Sequence, residues 1–203
     1  MGYGGKNLCT KIDLTAGKGI VMKKKSIGTN YSMCVQPTFL VGTYNEDGSP
    51  NFAPITWVSA TCEGQEYLLV VSMFGTKKTK QNVIREKALT VNLVSTDMLG
   101  LVDYFGSPEK DSYKRTYCCD RSEFVYAPVL DVSRWVYECE VVSSVKTGDS
   151  DTFFCKIRNI QIDESIEVGD TFEIDLTKFD PVIYSGQYHS LGKNIGKIGD
   201  FLE

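Results

Sequence analysis

The feature that most constrains this chain is a series of short strand-forming segments separated by turn chemistry, clearest at its first member. Phe39-Leu-Val-Gly-Thr-Tyr44 is followed by Asn45-Glu-Asp-Gly-Ser-Pro50 and then by Asn51-Phe-Ala-Pro-Ile-Thr-Trp-Val-Ser59. β-branched and aromatic residues around a Gly, Asp and Asn cluster predict a β-hairpin. Tyr67-Leu-Leu-Val-Val-Ser-Met73 predicts a third strand, following directly and buried on both faces.

The period then changes. Thr76 to Lys87 carries two hydroxyl N-cap candidates, Thr76 and Thr79, and apolar residues only at Val83 and Ile84, so it reads as a short surface helix. Ala88-Leu-Thr-Val-Asn-Leu-Val94 resumes the sheet. A second helix opens at Thr96, presents Met98, Leu99, Leu101, Val102 and Phe105 as one apolar face, and ends at Gly106 and Pro108. Arg134–Val142 and Thr152–Ile162 predict a second hairpin, joined through Thr147-Gly-Asp-Ser-Asp151. Phe172-Glu-Ile and Pro181-Val-Ile-Tyr184 follow, before a tail punctuated by glycine.

Many short strands with two or three short helices predict a mainly β fold, an antiparallel barrel closed or nearly so, because closure removes exposed sheet edges. With 203 residues, 42% hydrophobic and 24% charged, the chain can bury a core as one domain over 1–203, residues 1–30 forming an irregular arm. Lys23-Lys24-Lys25 reads as a solvated run.

Composition excludes several function classes. A net charge of −4 argues against nonspecific nucleic-acid binding, so an anionic ligand must meet a local cationic cluster. No stretch is apolar enough to cross a bilayer and the start lacks a secretory h-region, which predicts a cytoplasmic protein. Seven cysteines without CxxC spacing suggest reduced thiols, most of them in the core; the adjacent Cys118 and Cys119 are poorly placed for an unstrained disulfide. His189 is the only histidine, so a multi-histidine metal site has no ligands. Neither GxGxxG after a strand nor a P-loop is present.

Two segments could carry chemistry. Ser72 and Met73 end a strand, and Thr76, Lys77, Lys78, Thr79 and Lys80 lead into a helix N-terminus. Free N–H groups, helix dipole, hydroxyls and ammonium groups together suit a phosphate, although lysine-rich helix starts are also common on solvated surfaces. In Asn51–Ser59, Pro54 cannot donate to a ladder. That leaves backbone free for the polar edge of a planar ring, with Trp57 or Tyr104 as a wall; an edge strand with a bulge is an equal reading.

The order of these motifs resembles the flavin reductase-like, FMN-binding split-barrel family, in its flavoredoxin-like branch, over roughly Pro37 to Gly196. The resemblance rests on Phe39 to Trp57, on Ser72 with Lys77-Lys-Thr-Lys-Gln-Asn82, and on Leu89-Thr-Val-Asn92. Asp103-Tyr-Phe-Gly106, Ala127-Pro-Val-Leu130, Glu138-Cys-Glu140 and Tyr188-His-Ser-Leu-Gly192 continue it.

It implies a Greek-key split barrel and a homodimer with FMN near the subunit interface. The phosphate would be held around Ser72, Lys77 and Thr79. Ala53, Pro54, Ile55, Thr56 and Trp57 would run beside the isoalloxazine, with Asn51 near its polar chain. Met73, Asn82, Tyr104 and Tyr188 complete the implied cofactor-binding set. The activity implied is hydride or electron transfer through FMN, fed by NAD(P)H or by a redox protein.

Two departures stand out: Gln65-Glu66 replaces a frequent Pro-Pro pair, and Ser107 to Lys114 replaces a Ser-Gly then Asp-Lys-Phe segment beside the flavin. Rival readings are a split-barrel oxidase acting on a phosphorylated pyridine compound, a non-enzymatic flavin- or haem-binding module with His189 as axial ligand, and a ligand-free barrel.

Overall fold

The computed structural model describes residues 23–26, 28–29, 35–108, 115–166, 174–197 and 200. Most of the 1–30 arm, the 109–114 segment and Phe172-Glu173 lie outside the described residues. The chain divides into two units, Met1–Tyr31 and Ser32–Glu203. In the first, Lys23, Lys24 and Lys25 are exposed.

The second unit contains β1 (Gln36–Pro37), β2 (Phe39–Tyr44), β3 (Pro50–Ile55), β4 (Val58–Glu63), β5 (Glu66–Phe74), α1 (Lys78–Glu86), β6 (Ala88–Leu93) and α2 (Leu99–Gly106). It continues with β7 (Cys119–Arg121), β8 (Pro128–Leu130), β9 (Trp135–Thr147), β10 (Ser150–Ile162), β11 (Val182–Tyr184) and β12 (Tyr188–Ser190). A 3₁₀ turn, Thr96–Met98, precedes α2, so the helix expected from Thr96 tightens in its first turn.

Seven strands form one antiparallel sheet in the order β3-β2-β6-β9-β10-β5-β4. Its two edge strands are consecutive in the chain, separated only by Thr56 and Trp57. A sheet whose outermost strands are joined by two residues must curl until those edges converge. No ladder joins β3 to β4 among the described residues, so the result is a split barrel and not a closed one. Two small sheets, β1-β11-β12 and β7-β8, accompany it.

The turn between β2 and β3 forms as its residues predict. Gly48 adopts φ +79°, Asn45 N donates to Ser49 O at 2.9 Å, and Asp47 Oδ1 accepts from Ser49 N at 3.0 Å. The expected strand from Asn51 to Ser59 breaks at Thr56, and the chain re-enters the sheet as β4, a strand beyond Ser59 that the pattern did not announce. Its mostly exposed Val58–Glu63 run has little hydrophobic alternation to read. The hairpin of β9 and β10 is longer than expected, with Gly148 at φ +58° and Asp149 as its two-residue turn.

Strand alternation sends Val41, Ile55, Val71, Val91, Cys139, Phe153 and Cys155 into the barrel. Leu40 and Phe52 take the opposite face and pack against Met98, Val102 and Phe105. Gly42 is required in β2: a Cβ there would lie 2.4 Å from Thr90 Oγ1 and 2.6 Å from Pro128 O. Two of the five described cysteines, Cys139 and Cys155, are buried, while Cys62 and Cys118 are exposed and Cys119 is intermediate, so the thiols are less concentrated in the core than expected.

Helix α1 is not the surface helix its composition suggested. Val83 is fully buried in the barrel core while Ile84 is nearly half exposed, so a single buried apolar residue suffices where polar partners satisfy the rest of the buried face. Asn82 Nδ2 donates to Thr43 Oγ1 at 3.1 Å and Asn45 Oδ1 at 3.0 Å, and Lys80 pairs with Asp151 at 2.7 Å. The helix thereby bridges the tips of the β2-β3 and β9-β10 hairpins.

Candidate flavin site

The break at Thr56-Trp57 builds a cavity. It has a volume of about 410 Å³, within the range of small-molecule sites. Thr56, Trp57, Val58 and Ser59 form one wall, Val70 and Ser72 of β5 the second, and Val35, Gln36 and Pro37 the third. Ser72 N donates to Trp57 O at 2.9 Å, which fixes the link between the edge strands against β5. Trp57 stays 38% exposed, so its ring remains available to a ligand.

The edge strand leading into this cavity has an informative parity. Antiparallel pairing alternates between residues bonded to the partner strand and residues whose backbone points away. Pro54 opposes Leu40 and Pro50 opposes Tyr44, and neither proline has an N–H, so positions 50, 52 and 54 are the outward-pointing set. Three carbonyls and the N–H of the buried Phe52 thus point away from β2. The reading of this stretch as an edge strand therefore holds, without a bulge in the β2-β3 register.

Beyond Ser72 the chain turns at Gly75, φ +73°, and enters α1. The N-cap is Lys77 in an extended conformation, with no side-chain cap bond, so neither threonine serves as the hydroxyl cap that was expected. Thr79 lies inside the first turn, where its Oγ1 accepts from Asn51 Nδ2 at 2.9 Å. The N–H groups of Lys78, Thr79 and Lys80 thus have no intrahelical partner and no capping side chain. Lys77 and Lys78 flank them exposed, whereas Lys80 is withdrawn from the cationic cluster by its ion pair with Asp151.

Of the residues expected at the site, Thr56, Trp57 and Ser72 share one cavity. Ile55 and Met73 direct their side chains into the core, so they can offer a ligand only main chain. Asn51, Thr79 and Asn82 form a buried polar layer beneath the start of α1. Ala53 and Pro54 are half-buried on β3, and Gly106 of α2 packs on Pro54, where a Cβ would stand 3.2 Å from Pro54 Cγ.

Tyr104 lines a different, polar cavity of about 300 Å³ with Gly100, Asp103, Ser107 and Arg115. Tyr188 Oη donates to Asp103 Oδ1 at 3.1 Å; burial and then the Asp103 carboxylate raise its pKa and keep the phenol protonated. His189 is exposed on β12 opposite Ile183.

Val35, Gln36, Pro37, Val58, Ser59 and Val70 escaped the sequence reading. Alternation with Ser72 along β5 would have found Val70, and the β4-β5 register then supplies Ser59. Among the described residues Gln36-Pro37 pairs with β11, about 150 residues later, and no local pattern signals that.

Comparison with known proteins bears on this geometry. A family model described as a flavin reductase-like domain matches residues 31–192. Flavoredoxin of Desulfovibrio vulgaris (Miyazaki F) is 26% identical, with a TM-score of 0.76 over 88% of this chain and 99% of its own. Flavoredoxin from Methanosarcina acetivorans shares the fold at 22% identity, with a TM-score of 0.77 over 89% of this chain and 97% of its own. An uncharacterized protein of Aquifex aeolicus (strain VF5) is 23% identical over 156 residues, 72% of this chain and 79% of its own.

Proposed function

The chain belongs to the flavin reductase-like domain family, and from that premise we propose that it is an FMN-dependent oxidoreductase of flavin reductase or flavoredoxin type. It takes hydride from NAD(P)H or electrons from a redox protein and passes them to an acceptor. The observation that carries this reading is the sequence of features along one stretch of chain. A cavity walled by Trp57 and Val70 has Ser72 in its lining, and Ser72 leads through a short turn to an uncapped, lysine-flanked helix N-terminus.

Bound FMN would supply the hydride and electron chemistry, leaving the protein to bind, orient and control access. The residues present suit that division. Trp57, Val58 and Val70 offer apolar surface to a planar ring and exclude water from it. The β3 edge and Thr56 offer polar groups to its rim. The N–H groups at the start of α1, with Lys77 and the Ser72 hydroxyl, suit a phosphomonoester dianion, which favours FMN over riboflavin. The scarcity of acid–base side chains is no obstacle, because the cofactor carries the reactive atoms.

The working unit in this reading is a homodimer. Phe74 and Val145 are each more than half exposed on β5 and β9, and a second copy would cover such apolar surface. A cytoplasmic setting is supported by the five described cysteines, all free thiols. No described helix is long and apolar enough to cross a membrane.

The test is a visible spectrum of the purified protein after saturation with FMN and desalting, followed by anaerobic NADH or NADPH. Retained flavin bands that bleach with a nicotinamide establish a reductase. Bands that persist until dithionite is added establish a carrier fed by another protein. Loss of all flavin on desalting overturns the proposal.

A further inference from the structure

We propose that Thr152 is a positioning residue for the phosphate end of this site, acting through Ser72; the inference rests on the flavin reading above and extends it to a part of the chain remote in sequence. Thr152 stands directly opposite Ser72 in the β10-β5 register, and their hydroxyl oxygens are 2.9 Å apart. Their strand neighbours Val71 and Phe153 are 0% and 1% exposed inside the barrel, so alternation puts Ser72 and Thr152 together on the outer face.

A lone serine hydroxyl rotates among staggered positions, but one bonded to a second hydroxyl does not. If an anion accepts from Ser72, the Ser72 proton is committed to it, and Ser72 Oγ then accepts from Thr152. The pair becomes a directed chain, Thr152 to Ser72 to anion, in which each bond polarises the next. Thr152 touches no ligand in this scheme; it aims the group that does.

The rest of the hairpin tip supports the same region. Asp149 O accepts from Gly75 N at 3.0 Å and from Lys80 Nζ at 3.0 Å, and Asp151 pairs with Lys80 at 2.7 Å. The connection from β5 into α1 is therefore bracketed from Ser72 to Lys80 by four residues, Asp149 to Thr152. The β9-β10 tip acts as a template for the anion-binding backbone.

The experiment compares FMN and riboflavin affinity, by quenching of flavin fluorescence, in wild type, Thr152→Val, Thr152→Ser, Ser72→Ala and Ser72→Ala/Thr152→Val, with melting curves for each. Thr152→Val preserves shape and strand propensity while removing the donor; Thr152→Ala replaces it if the valine variant does not fold. Thr152→Val is expected to weaken FMN about five- to tenfold, the scale of one hydrogen bond, with riboflavin within about twofold. Thr152→Ser restores FMN affinity, and Thr152→Val adds nothing once Ser72 is alanine.

Equal losses for the two flavins, an undiminished effect in the Ser72→Ala background, or no effect on FMN would each overturn the proposal while leaving wild-type flavin binding intact. Failure of wild type to bind either flavin overturns both this inference and the reading beneath it.

Discussion

Asn51 Nδ2 on β3 donates to Thr79 Oγ1 on α1 at 2.9 Å and to Thr43 Oγ1 at 3.2 Å, and all three side chains are buried. Two residues 28 positions apart, Asn51 expected near the flavin's polar chain and Thr79 at its phosphate, meet each other instead of solvent. They fix the first turn of α1 on the barrel. Asn51→Ala leaves the buried Thr79 hydroxyl without its donor, whereas Thr43 Oγ1 keeps that of Asn82 Nδ2, and is expected to cost about 1–3 kcal/mol in urea unfolding. Thr79→Ser, which keeps the accepting oxygen, should remain near wild type.

Lys77 and Lys80 look alike in sequence but have different partners. Lys77→Ala should weaken FMN about tenfold and riboflavin hardly at all, a difference that narrows as salt screens the exposed charge. Lys80 is neutralised by Asp151, the two side chains being 9% and 14% exposed. Asp151→Asn is therefore expected to act on stability, by about 3 kcal/mol, through the ammonium it strands. Isothermal titration and urea midpoints separate the two outcomes; a Lys77 effect equal for both flavins would remove Lys77 from the phosphate.

Glu138, 0% exposed on β9, accepts from Ser122 Oγ, from Asn159 Nδ2 at 2.7 Å and from Gln161 Nε2 at 2.8 Å. Ser122 Oγ in turn accepts from Phe124 N and Val125 N at 3.1 and 3.0 Å. One carboxylate thus pins the 122–125 segment to the sheet. Glu138→Ala should cost about 3 kcal/mol, because the buried Ser122 hydroxyl and the half-buried Asn159 amide lose their acceptor, and should raise amide exchange at Phe124 and Val125. Unchanged exchange there would refute the pinning role.

Burial pushes the Cys155 thiol up from 9.0 to about 12 and raises Cys139 well above its ordinary value. At pH 8 neither is a thiolate, so iodoacetamide should modify Cys62 and Cys118 in the native protein but Cys139 and Cys155 only after unfolding. The sign of the pH dependence follows. Between pH 9 and 12 the unfolded chain has released thiol protons that the folded one retains, so stability present below pH 9 is lost as pH rises toward 12. Melting temperatures of Cys155→Val across that range should fall less steeply than those of wild type.

Local patterns in the chain determined a good deal on their own. The β2-β3 hairpin was legible because its turn residues act within five positions, and Pro54 marked an edge because a missing N–H is a property of the residue itself. The strand identity of β5, β6, β9 and β10, the two helices, and the run from Ser72 into the lysine-flanked start of α1 came from patterns of the same short range. Tertiary structure alone decided three things. It curled the sheet by joining its edge strands through Thr56-Trp57. It turned a supposed surface helix into a bridge between hairpin tips, burying Asn51, Thr79, Lys80 and Asn82 among partners 28 to 71 residues away. It brought Gln36-Pro37 into the cavity beside Trp57 and Thr152 opposite Ser72. The physical reason is common to all three: a hydroxyl or ammonium has the same propensity whether it faces water, a carboxylate or a phosphate, and only the assembled fold supplies the partner that decides which.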